Sequence, residues 1–411
     1  MISNSEPAAA PFPPLMGIAP LIRRAFVNED MAPLASALLE RARQNPLDAN
    51  AYLDLSTVLL LTGHPENALA VQAEAIAISS HYSLPSKQAK AGLRLLVLKG
   101  PGDLMANTPV EFLVEDSDVS MELVYLTEKA ELPKNLPDHD VMMVAIGESD
   151  TNQPLLERAA RYLSDWPRPI INRPENIARL SRDGVYVALR GLPGIEMPAS
   201  VRVDRPVLES IKEGKTAVTS ILPDGDFPII VRPRGSHAGT NLKKIDGAQD
   251  LSTYLEHVDS TGFYISRFVD YRSGDGLFRK YRIALIDGHA FVCHYAVSER
   301  WMIHYLNAGM TESAEKRAEE AACMATFDDE FALRHANALR AINEQIGLPY
   351  VGIDCAETQS GELLIFEVDN SMVVHAMDPE DLFPYKAPAM RKVFAAFRQL
   401  LEKTRQLSPV R

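Results

Sequence analysis

The stretch from Gly352 to Asn370, GIDCAETQSGELLIFEVDN, carries the pattern on which the fold prediction depends. It joins two β-type runs, Pro349 to Ile353 and Leu363 to Val368, through a GELL turn. Two such runs on either side of a glycine-containing turn predict a β-hairpin. We therefore expect the polar side chains at the ends of these runs to meet in space.

Three carboxylates stand at the ends of this predicted hairpin. Asp354 follows the first run, and Glu367 and Asp369 close the second. Alternate residues of a strand share a face, so Glu367 and Asp369 point the same way. Magnesium is held by one or two carboxylates together with substrate phosphates, so these acids predict a magnesium–nucleotide site. Solvated acids at the ends of a hairpin are the alternative.

A glycine-rich loop upstream predicts a phosphate contact. The apolar β-type run Phe227 to Val231 leads into RPRGSHAGTNLKKI. Backbone N–H groups of small residues approach phosphate oxygens without obstruction by Cβ, and no GKS or GKT follows that would make this a Walker A loop. A tight hairpin is the alternative. The residues concerned are Arg232 and Arg234, which add positive charge, and Gly235, Ser236, Gly239 and Thr240.

The segment from Phe263 to Val292 predicts two or three strands separated by glycine and aspartate turns. Its short apolar stretch Arg267, Phe268 and Val269 would offer backbone donors and acceptors to the edge of an adenine. Asp270 or Asp275 would accept hydrogen bonds from ribose hydroxyls. This segment is therefore the candidate for the nucleoside end of a nucleotide site.

Dense cations follow in an otherwise acidic chain: Arg279, Lys280 and Arg282. Strand alternation places Lys280 and Arg282 on one face, where a single partner must neutralise both charges. A triphosphate is such a partner, and a solvated sheet face is the alternative.

The stretch CHYAVSERWMIHYLNAG, from Cys293 to Gly309, is rich in side chains that bind small molecules. A histidine near pH 7 can deprotonate an incoming ammonium, which makes His294 and His304 candidate catalytic residues. His375 further on is a similar candidate. Hydrogen bonding within the framework is the alternative role for all three.

These blocks, in this order, resemble the ATP-grasp superfamily, and the RimK-like ligases within it, over roughly Leu93 to Leu401. The stretch Ile171 to Val203 resembles the linker that enters that family's nucleotide domain. The family's phosphate loop matches Gly235 to Thr240, and its adenine strand matches Ile265 to Val269. Its metal ligands match Asp354, Glu367 and Asp369, with Asn370 next in line.

The resemblance implies an α/β chain with the α+β ATP-grasp fold, preceded by a small all-α helical module. The expected organisation is a flexible arm over residues 1–29, a helical module over 30–90, an α/β pre-ATP-grasp domain over 91–200 and the ATP-grasp nucleotide-binding and catalytic domain over 201–411. The implied activity is ATP-dependent ligation of a small-molecule or peptide carboxylate to an amine through an acyl phosphate. ATP and Mg²⁺ are the implied cofactors, with Arg282 stabilising the transferred phosphoryl group or the tetrahedral adduct.

The sequence also departs from the family pattern. Arg232 replaces the usual lysine before the loop proline, and Gly184 replaces the lysine of an RDK element. The metal motif ExN reads ExD here, so Asp369 brings an additional negative charge. The segment Ser371 to Lys386 replaces the usual PG-containing turn near the acceptor substrate. Family substrate preferences are therefore not carried over.

The region before the nucleotide domain shows alternating elements. A strand is predicted at Leu93 to Leu98, β-type runs at Val110 to Val114 and Met121 to Leu126, and another strand at Met142 to Gly147. A helix is predicted from Gln153 to Trp166.

An alanine- and leucine-rich helical stretch, roughly Asp30 to Ser80, precedes this region. From Asp48 it matches one tetratricopeptide-type repeat, with Gly63 in the turn, whereas about three units are needed for a stable solenoid. We expect this module to pack on the ligase body or to form the contact of a homodimer. A groove that binds a peptide or protein partner is the alternative.

Composition agrees with a catalyst of two or three domains. The chain has 411 residues and a formal net charge of −13. Without a Lys/Arg tract it is expected to bind neither nucleic acid nor an anionic membrane. Three cysteines without metal-type spacing and no signal-like N-terminus predict a reduced, cytoplasmic location.

Two other functions fit the same sequence. A non-catalytic nucleotide-binding scaffold would use the helices to recruit a partner, and Gly184 with the replaced PG turn favours it. An ATP-grasp phosphotransferase would transfer phosphate without forming an amide. The three acids retained at Asp354, Glu367 and Asp369 favour an enzyme.

Overall fold

The computed structural model describes residues 12–88, 91–127, 136–236 and 239–407. Four helices come first: α1 Ile18–Phe26, α2 Ala32–Gln44, α3 Ala49–Leu61 and α4 Pro65–Ile78. The Asp48 side chain caps α3 by accepting from the Ala51 N–H at 3.0 Å, and Gly63 turns the chain between α3 and α4 with φ 82°. The predicted helical module is therefore present. The arm expected over residues 1–29 is wrong for Ile18–Phe26, which form helix α1 and bury Leu21 against the module, and its first eleven residues lie outside the described residues.

A five-stranded sheet follows, in the order β1-β3-β2-β4-β5. Its strands are β1 His81–Leu84, β2 Leu93–Lys99, β3 Val119–Tyr125, β4 Val141–Val144 and β5 Ile170–Ile171. All neighbours are parallel except β1, which pairs antiparallel with β3. The helices in this part of the chain are α5 Val110–Leu113, α6 Gln153–Leu163, α7 Pro174–Ile177 and α8 Arg182–Leu189.

The β-type run predicted at Val110 to Val114 is wrong, since Val110–Leu113 forms helix α5. All four side chains of α5 are buried. A short apolar run does not distinguish a buried strand from a buried helical turn by its periodicity, and packing decides between them.

A smaller antiparallel sheet carries the glycine-rich loop. After a short strand, β6 Ile195–Glu196, come β7 Val201–Asp204, β8 Ile229–Pro233, β9 Lys243–Ile245 and β10 Gly262–Arg267. These four strands lie in the order β7-β10-β8-β9. Helices α9 Arg205–Lys212 and α10 Ala248–His257 cover one face, and a separate core gathers around Leu208, Val231 and Ile265.

The third sheet holds the acidic hairpin, in the order β12-β11-β13-β14-β6. Its long strands are β11 Phe278–Ile286, β12 His289–Ser298, β13 Tyr350–Glu357 and β14 Leu363–Asp369. They pair antiparallel, and β6 joins β14 in parallel. The remaining helices are α11 Ala314–Thr326, α12 Phe331–Arg334, α13 Ala336–Ile346 and α14 Lys386–Gln406.

Buried hydrogen bonds and a shared hydrophobic core join the first and third sheets. Asn172, which follows β5 with φ 57°, donates from Nδ2 to the Tyr350 carbonyl at 2.8 Å and accepts from the Tyr350 N–H at 3.2 Å. Residues of both sheets, among them Val97 and Ile286, pack in one hydrophobic cluster with Phe397 of α14. The predicted α/β body preceded by a helical module is thus confirmed. No helix of the described residues has the length and apolar character needed to span a membrane.

Candidate functional site

The predicted hairpin acids lie where β13 and β14 pair. Asp354 is the register partner of Glu367 on one side and of Arg282 on the other. Its side chain is only 3% exposed, and both oxygens are bound by cations. Arg282 donates to Asp354 through Nε at 2.8 Å and through its second terminal nitrogen at 3.0 Å, while Lys280 Nζ lies 2.5 Å from Oδ2. Burial alone would raise the pKa of Asp354, but Arg282 and Lys280 hold it well below its ordinary value.

Glu367 is held from another direction. Its carboxylate, 35% exposed, pairs with Arg182 of α8, which also donates to the Phe366 carbonyl at 3.0 Å. Burial raises the pKa of Glu367, and the nearby Arg182 and Arg232 guanidinium groups outweigh it, so the pKa lies below its ordinary value. The linker helix α8 is therefore fastened to the acidic hairpin.

The third acid and its neighbour have local partners. Asp369 accepts from the Ser371 N–H and from the Ser371 hydroxyl, each at 2.8 Å. Asn370 is fully buried and turned toward the first sheet, where its Nδ2 donates to the Ile146 carbonyl at 3.0 Å. Thr108 Oγ1 donates to the Asn370 carbonyl at 2.8 Å. Asn370 Oδ1 is buried without a hydrogen-bond partner among the described residues.

The cations around the acids outnumber the ion pairs that they make. Lys280 and Arg282 share Asp354, as strand alternation predicts, and Arg182 takes Glu367. The Arg232 side chain of β8 donates hydrogen bonds to the backbone carbonyl and the hydroxyl of Ser236, and it forms no ion pair within the described ranges. Burial and the neighbouring Arg182 lower the pKa of Arg232 to about 10. An anion placed beside Arg232 would relieve this repulsion.

The glycine-rich loop joins β8 to β9 as predicted. Gly235 and Gly239 both have positive φ, 71° and 74°, and the side chain of Ser236 donates to the Pro233 carbonyl at 2.9 Å. Thr240 is exposed. His237 and Ala238, within the predicted phosphate loop, lie outside the described residues. A Cβ on Gly239 would come within 3.5 Å of Met302 Sδ, so the loop approaches the segment that bears His304.

The predicted adenine segment begins at the end of β10. Arg267 ends the strand and pairs with Glu196 and with Asp224, while the Phe268 N–H donates to the Pro228 carbonyl at 2.9 Å. The Phe268 ring packs edge-on against Trp301 at 5.6 Å between centroids. Val269 packs in the same small core as Trp301. The Phe268 N–H is therefore already used within the protein and is not free for an adenine.

The two aspartates proposed for ribose are occupied by arginines. Asp270 pairs with Arg272, and Asp275 pairs with Arg279 at 2.7 Å. Arg279 also binds Glu319 of α11, on the opposite face of β11 from Lys280 and Arg282. The structure therefore does not bring Asp275 together with the acidic hairpin, because its arginine partner directs it to the other side of the sheet.

His294 lies beside Arg282 in the β11–β12 register and is buried. Burial and the neighbouring Lys386 hold the pKa of His294 well below its ordinary value. His304 is half-buried, and burial followed by Lys280 and Arg282 lowers its pKa as well. Both rings are therefore neutral at pH 7.

Sequence reasoning missed a buried ionic network beside these histidines. Lys386, at the start of α14, lies 3.2 Å from His294 Nδ1, 3.3 Å from a Glu320 oxygen and 3.2 Å from an Asp378 oxygen. Its ammonium also contacts the Tyr305 hydroxyl. Little in the amino-acid sequence indicates this network, because a single lysine after an apolar FPY tripeptide does not reveal which residues it contacts.

The group best converged for metal binding among the described residues is not the predicted one. Ligand atoms of His294, His375 and Asp378 all lie within 4.8 Å of one another. Lys386 already supplies a cation to His294 and Asp378, and His375 Nδ1 accepts from the Met377 N–H at 3.1 Å. In the predicted group the acids are bound to separate cations, which draw Asp354 toward β11 and Glu367 toward α8.

No protein-family profile matches the chain, and no curated protein is significantly similar to it. Solved structures similar to it include a D-alanine–D-alanine ligase from Bacillus anthracis complexed with ATP, at 15% identity over 78% of this chain and 100% of that one, with a TM-score of 0.45. The VanG D-Ala:D-Ser ligase from Enterococcus faecalis is similar at 14% identity over 76% and 100%, with a TM-score of 0.45. A RimK domain ATP-grasp protein from Sphaerobacter thermophilus is similar at 13% identity over 75% and 99%, with a TM-score of 0.42. The first two of these structures are named as ligases and the third as an ATP-grasp protein.

Proposed function

We propose that this chain is an ATP-dependent ligase that joins a carboxylate to an amine through an acyl phosphate, releasing ADP and phosphate. The observation that carries the proposal is the gathering of four cations from three separate elements around one acidic hairpin. Arg182 comes from α8, Arg232 from β8, and Lys280 and Arg282 from β11. A polyphosphate is the partner that such a group of cations fits.

The electrostatics support a phosphate position beside Arg232. This guanidinium is partly buried, faces Arg182 and has no carboxylate partner among the described residues. The glycine-rich loop begins next to it, and the positive φ of Gly235 and Gly239 allows the backbone N–H groups to turn toward an anion. We therefore assign the terminal phosphates to the space between this loop and the acidic hairpin.

The donor set fits magnesium at the hairpin. Asp354 and Glu367 are register partners with lowered pKa values, so both are carboxylates at neutral pH, and Asp369 shares the face of Glu367. Asn370, turned toward the first sheet, contributes no oxygen to this face of the hairpin. Magnesium at these oxygens would neutralise charge on the phosphates.

The residues around the acids then have distinct tasks. Lys280 and Arg282, released from Asp354 when the site fills, neutralise the transferred phosphoryl group and the tetrahedral adduct. His304, neutral and half-buried near these cations, accepts the proton of the incoming amine. His294 is engaged by Lys386 through Nδ1, so we assign it to positioning that lysine.

The test is ADP release from ATP and magnesium in the presence of pools of amino acids, peptides and small acids. The expected result is ADP formation that requires both an acid and an amine, with a condensed product detected by its mass. No ADP with any pool would support the nucleotide-binding scaffold. ADP with a stable phosphorylated product would support the phosphotransferase.

A further inference from the structure

A cavity of about 40 Å³ lies between the helical module and the first sheet. Its walls come from α1, α3, α4, β2 and β3, and it shares no residue with the acidic hairpin. It has room for about three water molecules, at roughly 10–15 Å³ for each. Its polar lining includes Asp54, Gln72, Lys99, Glu111 and Tyr125.

Lys99 is the cation of this lining. The residue is 9% exposed, and its ammonium donates a hydrogen bond to the Tyr125 side chain but forms no ion pair within 4.0 Å among the described residues. The Tyr125 ring lies beside it, with 5.5 Å between Nζ and the ring centroid. Burial opposes the charge, but Tyr125 and Glu111 outweigh it and raise the pKa of Lys99, so the side chain stays an ammonium. A buried ammonium with no anion in ion-pair contact is costly, and a ligand carboxylate in the cavity would supply that contact.

Two acids of the same lining have no cation in ion-pair contact among the described residues. Asp54 is 1% exposed and accepts from the N–H groups of Met16 and Gly17, at 2.9 and 3.1 Å. Glu111 is 8% exposed and accepts from the Ala19 N–H at 3.0 Å. No lysine or arginine of the described residues lies within 4.0 Å of either carboxylate. Burial raises the pKa of Asp54 to about 7 and raises that of Glu111 as well.

The cavity therefore presents a positive group and two acidic groups that do not neutralise one another by direct contact. We propose that it binds a small zwitterion of the α-amino acid class, with the ligand carboxylate on Lys99 and the ligand ammonium on Glu111 and Asp54. Such a molecule provides both missing counter-charges at once, which a simple anion or a simple amine does not. Glycine is the smallest member of the class and suits the volume.

The experiment is calorimetric titration of the full chain with glycine, acetate and methylamine. The expected result is saturable one-to-one binding of glycine, with acetate and methylamine at least about tenfold weaker, since each lacks one charge-assisted contact. Acetate binding as tight as glycine would overturn the ammonium contact, and methylamine binding as tight would overturn the carboxylate contact. No heat with glycine would overturn the proposal.

Variants separate this cavity from an amino-acid substrate site at the hairpin. Lys99→Met should weaken glycine binding about tenfold or more, whereas Arg282→Met and the exposed control Lys392→Met should leave it unchanged. Glycine binding lost in Arg282→Met and retained in Lys99→Met would place the ligand at the hairpin and overturn the proposal. If Lys99→Met does not fold, a crystal of the parent chain soaked with glycine decides, and water alone in the cavity would overturn it.

Discussion

At the scale of single residues, the candidate site depends on carboxylates that are kept ionised by guanidinium and ammonium groups. Asp354 is buried between Arg282 and Lys280, and Glu367 is partly exposed against Arg182. A buried carboxylate of this kind is stable only while its cations remain, or while another cation replaces them. Substituting each acid and measuring both turnover and unfolding therefore shows whether it serves catalysis or the stability of the fold.

Glu367→Gln is expected to lower ADP formation by about a hundredfold or more while the fold persists, because the amide no longer offers two anionic oxygens to a metal. Turnover and the circular dichroism spectrum are the measurements. Glu362→Gln, in the turn of the same hairpin, serves as the control and should retain full activity. Near-normal ADP formation in Glu367→Gln would remove the proposed metal role.

Asp354→Asn is expected to lower the free energy of unfolding at pH 7 by about 3 kcal/mol, because it leaves Lys280 and Arg282 without their anion. The folded-state pKa of Asp354 is depressed, so its contribution is fully present above the unfolded pKa of about 4 and is lost as pH falls below that value. Urea unfolding at a series of pH values should show the difference between parent and variant shrinking below about pH 4. A difference that grows on acidification would contradict this account.

At the scale of secondary-structure elements, hydrogen bonds and ion pairs of single side chains link separate sheets and helices. Asn172 bonds both backbone groups of Tyr350 and so fastens the end of the first sheet to β13. Arg23 of α1 pairs with Glu115 and donates to the Ala376 carbonyl at 3.2 Å. The first helix is thereby tied to the segment that carries His375 and Asp378.

Asn172→Ala is expected to cost about 2–4 kcal/mol, because it leaves a buried N–H and a buried carbonyl of Tyr350 unpaired and places alanine at φ 57°. Asn172→Gly loses the same hydrogen bonds without the backbone strain. Denaturant unfolding should therefore rank the parent above glycine and glycine above alanine. Equal stabilities for the parent and Asn172→Gly would show that the side-chain bonds contribute little.

Arg23→Met is expected to lower the hydrogen-exchange protection of residues 371–385, because the link from α1 to Ala376 is lost. Arg24→Met is the matched control, since Arg24 is the next residue of the same helix and pairs only with the exposed Glu29. Exchange measured by mass spectrometry should change in the first variant alone. The same change in both would point to a general loosening of α1.

At the scale of the whole molecule, the small sheet brings Arg232 and the glycine-rich loop to the large sheet that bears the acids. A ligand that contacts both bodies stabilises the folded chain by mass action. Glu111 of α5 links the N-terminal helices to the first sheet's part of the chain by accepting from the Ala19 N–H, and Asp54 of α3 accepts from the Gly17 N–H at the start of α1. Gly17 is required there, because a Cβ would come within 2.6 Å of a Glu111 oxygen.

ATP with magnesium, at about a hundred times its dissociation constant, is expected to stabilise the chain by about 2.7 kcal/mol. The unfolding temperature measured by calorimetry should rise with ATP and magnesium together. Arg232→Met should reduce the rise, because the guanidinium without a carboxylate partner is removed. The control Arg94→Met, whose exposed side chain pairs with Asp138 on the first sheet's side of the chain, should behave as the parent does. An equal rise in Arg232→Met would place the phosphates elsewhere.

Local patterning in the sequence was enough to predict the hairpin, the helices of the N-terminal module and the common face of Lys280 and Arg282. These features follow from the alternation of strand residues and from turn chemistry, which act over a few residues. One prediction was wrong, because the apolar run at Val110–Leu113 forms helix α5 and not a strand. All four of its side chains are buried, and packing decided between the two structures.

Only the tertiary structure decided which distant groups meet. The contacts of Arg182 with Glu367, of Asn370 with Ile146 and of Lys386 with Glu320 join residues that are far apart along the chain. Such contacts depend on how sheets and helices dock, and no local periodicity encodes the docking. The sequence by itself therefore determined which chemical groups face which side of each element, and tertiary packing determined which charges form ion pairs and which, such as Lys99, are buried with no anion in ion-pair contact among the described residues.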